Sequence, residues 1–306
     1  MGTLLDPALI DWLKEGDSCL GYAVETQLLG LNAGVRDAAG DPLVKSLVDR
    51  LKSRHAGIPA LAAGRLSYAN TGNAFWDLFF LADVGLTAAQ VGIADQVDVL
   101  LDRQQPDGSF TLGSDPNYYC RSAIVLSSVA ALGYRDDPRV TRFVQHVFDE
   151  QRPDGGWHCL PSVDACPQDN LNVLMLLGHY PEYREDGRLT GAIDLLLDHW
   201  NRRAEGWRPA GFGVGERFRK LEYPAVKYGI LRVLDVLSRF PHALRSPEFA
   251  DMLRFVESKA VDGRYRDESV PSGYSGFDFA QAAVPSRWIT FIVVRVRQRA
   301  SRFVKM

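Results

Sequence analysis

The chain has no run of about 18 consecutive apolar residues, the length a helix needs to cross a bilayer, so no membrane span is expected. Charge of one sign is also missing. The 35 Lys and Arg are balanced by 38 Asp and Glu, a net charge of −3. That balance offers no footing for nucleic acid or an anionic membrane as the main partner. The stretch Arg295-Val-Arg-Gln-Arg-Ala-Ser-Arg-Phe-Val-Lys305 is basic, and it reads as a solvated helix end. The start, Met1-Gly-Thr-Leu-Leu-Asp-Pro7, has neither the basic nor the apolar region of a signal peptide, so a cytoplasmic protein is expected. Cysteine is scarce, at four residues, and in a reducing compartment these read as thiols or metal ligands rather than disulfides. No linker rich in Ser, Gly or Pro divides the chain, so residues 1–306 are expected to form a single domain. With 46% apolar and 24% charged residues, the composition is that of a globular protein.

What is present is a repeat. Arg103-Gln-Gln-Pro-Asp-Gly-Ser-Phe110 returns 47 residues later as Gln151-Arg-Pro-Asp-Gly-Gly-Trp157. A period of that length marks an array of helix pairs. Weaker copies are Ser53-Arg-His-Ala-Gly-Ile-Pro59, Arg202-Arg-Ala-Glu-Gly-Trp207 and Lys259-Ala-Val-Asp-Gly-Arg-Tyr265. Each has a glycine at its tip, which supplies the positive φ that ends a helix.

Before each turn the apolar spacing predicts an amphipathic helix, over roughly 41–54, 88–104, 138–151, 189–203 and 247–259. After each turn a more apolar helix is predicted, over roughly 73–85, 118–133, 168–180, 223–239 and 286–299. Ile124-Val-Leu-Ser-Ser-Val-Ala-Ala-Leu132 is apolar nearly all round, which a helix tolerates only when buried. A further pair over 6–15 and 18–31 brings the total to six hairpins. The fold expected is all-α, with amphipathic helices outside and apolar helices inside. The array closes into an α/α toroid in preference to an open solenoid, because its inner helices are too apolar for an open concave face.

Helix, then Gln-x-Pro-Asp-Gly-Gly-Trp, then helix resembles the prenyltransferase and squalene-cyclase repeat, whose family fold is an α/α toroid. The resemblance is concentrated in residues 97–180. It implies an isoprenoid or prenyl-diphosphate substrate, and the protein prenyltransferases of that superfamily use zinc. The chain departs from the pattern in three ways. It has no Asp-x-Asp-Asp acid motif. Asp136-Asp137 lacks the third carboxylate of an Asp-Asp-x-x-Asp magnesium site. The zinc-ligand motif is absent in matching form.

Each turn joins an outer helix to the start of an inner one, so the inner-helix N-termini should share one mouth, where positive dipole ends favour anions and thiolates. Cys120, Cys159 and Cys166 map to that mouth, with Cys19 further round. Thiolates gathered there require a cation, and zinc suits them. His158 is the expected fourth ligand, with Asp164 and Asp169 as alternatives. Packing as small apolar side chains is the competing reading of these cysteines.

Trp76, Tyr119, Tyr228 and Trp288 are placed to line a cavity for an apolar substrate. Arg217 and Arg219, in the Gly-rich stretch 208–220, are candidates for holding a phosphate or diphosphate. Glu222 and Asp278 are candidate acids or bases, with Tyr223 and Arg287 completing the catalytic set. The expected protein is a zinc-dependent enzyme acting on an apolar, isoprenoid-type substrate at the inner-helix N-termini. The alternatives are a metal-free cyclase or isomerase and a non-catalytic toroid that binds a lipid or a protein.

Overall fold

A computed structural model describes residues 6–112, 119–158, 165–281 and 283–304, without the side chains of residues 119, 120 and 304. The protein is all-helical. Among the described residues there is no β-strand, only isolated bridges such as Glu222–Ser269.

Twelve helices form the frame. They are α1 (Pro7–Lys14), α2 (Ser18–Ala23), α3 (Pro42–Lys52), α4 (Ala74–Val84), α5 (Ala94–Leu101), α6 (Tyr119–Val129), α7 (Pro138–Asp149), α8 (Pro167–Leu177), α9 (Thr190–Asn201), α10 (Ile230–Leu237), α11 (Pro247–Glu257) and α12 (Arg287–Val304). Four of the six odd-numbered helices start on signals written in the sequence. Asp6, Asp41, Asp137 and Ser246 each accept a hydrogen bond from a first-turn amide, and proline follows each of them.

The odd helices bury one stripe. In α7 it is Val140, Phe143, Val144 and Val147. The even helices bury far more, and α8 has no residue outside the core. The even helices pack on one another in order, α2 on α4, then α6, α8, α10 and α12. Helix α12 also packs on the π-helical turn Val24–Leu28 that prolongs α2.

The two clear repeats build the same joint twice. Gln104 Nε2 donates to the Gly108 carbonyl (3.0 Å) and to the Arg139 carbonyl at the start of α7 (2.7 Å). Gln151 Nε2 does the same to Gly155 (2.8 Å) and to Arg188, just ahead of α9 (2.7 Å). Asp107 and Asp154 each cap the amide two residues on. The turn glycine in the second copy has φ +80, and its backbone lies against Gly191 of α9. Buried Trp157 closes the joint by donating to the Val147 carbonyl (2.7 Å).

Three expected helices differ. The 88–104 helix is split into Ala88–Val91 and α5, because Gly92 takes a left-handed conformation (φ +69). The 223–239 helix begins only at Ile230. Pro224 keeps Tyr223 out of helical backbone, and Gly229 is fully extended ahead of the first turn. The 118–133 helix is α-helical to Val129 and then widens into a π-turn that ends through Gly133 (φ +104). Short helices at Val35–Gly40, Ile58–Ala62 and Pro241–Leu244 are too brief to leave an apolar period in the sequence.

Candidate functional site

One cavity has a volume of about 910 Å3. It lies where the even helices end. Asp83 closes α4, Ser127 lies in the last turn of α6, His179 follows α8, Asp235 ends α10 with Arg239 just past it, and Arg295, Arg299 and Arg302 descend the last turns of α12. The mouth expected to carry the chemistry, at the helix N-termini, is the opposite end. Among the described side chains, none of those assigned to substrate, catalysis or metal lines this cavity.

Six arginines line it, Arg184, Arg232, Arg239, Arg295, Arg299 and Arg302, with three carboxylates, Asp83, Glu185 and Asp235. Helix C-termini carry partial negative charge, so some positive charge belongs here. Arg184 Nε, for example, donates to the Gly178 carbonyl that follows α8 (3.1 Å). Arg239, Arg295 and Arg299 cluster on shared acids. Arg295 bridges Asp235 (2.9 Å) and Asp83 (2.9 Å), and Arg299 reaches Asp235 at 3.1 Å. Burial would raise the Asp235 carboxyl, but Arg295, Arg299 and Arg239 outweigh it and hold it well below the usual range. Two of the cations show the reverse, while Arg295, despite its burial, is raised by Asp235 and Asp83. Burial, with repulsion from their arginine neighbours, pushes Arg239 and Arg299 down despite Asp235. The cavity is short of negative charge.

The basic stretch 295–305, read from sequence as a solvated helix end, is therefore corrected in part. Arg295 is only 4% exposed and stands at the centre of this network. The signal was present in the spacing: Arg295, Arg299 and Arg302 share one face of α12, and Arg232 and Asp235 share one face of apolar α10, with Arg239 just past its end.

His179 Nε2 and Ser127 Oγ are 3.1 Å apart on the cavity wall. Burial holds the imidazole well below its ordinary value, and Arg239, Arg184 and Arg299 push it the same way. The ring is neutral at pH 7.

Buried Arg232 forms the floor. It donates to the Val226 carbonyl (2.9 Å) and to Asn172 Oδ1, and its guanidinium lies over Phe79. Asn172 and Gln168 in turn bond Tyr68 Oη (3.0 and 2.7 Å). On the far side of Arg232 is a small cleft of about 20 Å3. That cleft brings together Arg217, Glu222 and Tyr228 of the expected set. Glu222 and Tyr228 have local partners there. Glu222 accepts from Ser269 (2.7 Å) and pairs with Lys227, and Tyr228 Oη meets His199 Nδ1 at 2.7 Å. Arg219 is exposed and folds back on the Gly215 carbonyl.

The other expected residues have packing and hydrogen-bond partners of their own. Trp288 stacks on Tyr223 at 4.9 Å, and both are buried among Phe80 and Phe279. Trp76 is buried and donates to the Tyr68 carbonyl (3.0 Å). Arg287 donates to the Trp12 carbonyl (2.8 Å) and lies over its ring, which ties α12 to α1. Asp278 is exposed and caps Ala280. These side chains are not brought together as a catalytic set.

The zinc site falls mostly outside what is described. Cys159 and Asp164 lie outside the described residues, and the side chains of Tyr119 and Cys120 are not described. Cys166 is buried just ahead of α8, and His158 Nε2 is 2.9 Å from Asp154. Among the described residues no three His, Cys, Asp or Glu side chains are grouped to hold a metal. Burial, then Asp41 and Asp17, pushes the Cys19 thiol up, against the expectation of a thiolate at a helix N-terminus.

No family model matches this chain, and no curated protein matches it. Among the described residues, no helix is long and apolar enough to cross a membrane.

Proposed function

We propose that this protein is a single-domain α/α toroid, akin to the prenyltransferase and squalene-cyclase repeat proteins, that binds an apolar phosphate or diphosphate of the isoprenoid class. The toroid reading is supported by the order of packing, in which the even helices follow one another until α12 meets the prolongation of α2. The repeated glutamine–turn joints support the kinship.

One observation carries the ligand class: six arginines set against three carboxylates on a single cavity. An oxyanion with several acceptor oxygens is the complement of such a cluster. Phe79, Met175, Leu231, Ile292 and Phe303 line the same space and suit an apolar chain. The binding end is the C-terminal end of the even helices, which replaces the end expected from sequence.

Titration calorimetry with farnesyl diphosphate, inorganic diphosphate and farnesol tests the reading. Farnesyl diphosphate should bind most tightly, inorganic diphosphate more weakly and with strong salt dependence, and farnesol least. Arg299→Gln should weaken farnesyl diphosphate by about 10-fold or more. Equal binding of farnesol and farnesyl diphosphate would sink the anion assignment.

A further inference from the structure

The cavity holds a pair of side chains that charge neutralisation does not require. Ser127 and Ser128 both lie in the last turn of α6 and both line the cavity. Ser128 Oγ donates to its own helix, at the Ile124 carbonyl (2.8 Å). Ser127 Oγ instead meets His179 Nε2 at 3.1 Å, across from α6 to the residue that follows α8. A hydroxyl within hydrogen-bond reach of an imidazole is the arrangement of a nucleophile and its base. The groups charged around the ring are Arg184 after α8, Asp235 of α10, Arg239 just past its end, and Arg299 of α12. Burial, then Arg239, Arg184 and Arg299, keeps the ring unprotonated at rest, so its Nε2 lone pair faces the Ser127 hydroxyl. The same cations line the space beside Ser127, where a phosphoryl group would need its charge spread.

We infer that Ser127 and His179 form a catalytic pair that cleaves the terminal phosphoryl group from an apolar phosphate ester or diphosphate held by the cavity arginines. This rests on the anion-binding reading of the cavity given above. In the first step Ser127 Oγ forms a bond to the terminal phosphorus, and its proton passes to His179 Nε2. The bond from phosphorus to the bridging oxygen breaks, and that oxygen leaves with the proton from His179. In the second step water bonds to phosphorus and gives a proton to His179. The Ser127 Oγ–phosphorus bond breaks, Ser127 regains a proton from His179, and inorganic phosphate departs. The net reaction is hydrolysis, with water as the co-reactant and no change of oxidation state. The leaving group is an apolar alcohol when the substrate is a monophosphate and an apolar monophosphate when it is a diphosphate.

The experiment follows inorganic phosphate released from farnesyl phosphate and from farnesyl diphosphate by the full chain, with binding of both probes measured alongside. Wild type should release phosphate. Ser127→Ala and His179→Gln should each lower kcat by about 100-fold or more, while binding of either probe changes less than about 3-fold. Rapidly quenched wild type should carry a phosphoryl group on Ser127. Wild type that binds the probes and releases nothing overturns the catalytic pair and leaves the binding reading standing. Release at an unchanged rate by both variants, with their melting curves intact, overturns it as well. Failure of wild type to bind either probe overturns the cavity reading, and the catalytic pair falls with it.

Discussion

Asp267 is 1% exposed, and its Oδ2 has no hydrogen-bond partner. Burial, then the nearby Glu222 and Glu268, pushes its carboxyl up to about 8 in the folded protein despite a 3.4 Å bond from the Tyr223 amide. An unfolded aspartate titrates near about 4. Between those values the folded chain holds a proton that the unfolded chain has lost, so stability falls as pH rises across that window. Asp267→Asn cannot ionise. Wild type should lose thermal stability between pH 5 and 8 by more than Asp267→Asn does, and parallel pH profiles would show that Asp267 is ionised throughout. Tyr223, Trp288 and Asp278 could not be placed at this scale from sequence. A core aromatic and a substrate-stacking aromatic are the same letter, and only burial against Phe80 and Phe279 separates them.

Gln104 and Gln151 show why the repeat was legible at the scale of the element. A glutamine at the end of one outer helix satisfies its own turn and the first carbonyls of the next outer helix, so its position is tied to local geometry. Gln151→Ala removes two hydrogen bonds to carbonyls and should cost about 1–2 kcal/mol. Urea unfolding would measure it, and a midpoint unchanged from wild type would mean that Gln151 does not hold the joint. The proline-marked helix starts were legible for the same reason. The late start at Ile230 was not, because Val226, Leu231, Val233 and Leu234 continue an apolar pattern across a segment that Pro224 and Gly229 keep extended.

The two ends of the described chain are joined at the scale of the whole molecule. Arg287 donates to the Trp12 carbonyl, Gln298 to the Leu28 carbonyl (2.7 Å) and Arg295 to Gln27 (2.8 Å). A second tie runs from Arg50 and Asp77 to Tyr274. Arg50 grips buried Asp77 through two nitrogens (2.6 and 2.5 Å), and Tyr274 Oη adds a bond at 2.8 Å. Beside it, the backbones of Gly72 and Gly273 lie too close for a Cβ on either residue. If these ties close the proposed ring, the chain should have a radius of gyration of about 19 Å in solution, the value compact chains of this length follow. Small-angle scattering would measure it, and a markedly larger value would favour an open solenoid.

Local regularities determined what could be read without the fold: the 47-residue repeat, the helix pairs, the caps and the all-α class all depend on residues within a turn or two of one another. The site depended on distant ones. Arg184, Arg239 and Arg299 come from separate segments, and Ser127 and His179 stand 52 positions apart. Their charges look like ordinary surface charge along the chain. Packing the even helices side by side brings their C-terminal ends together, and only there do six arginines outnumber the carboxylates beside them.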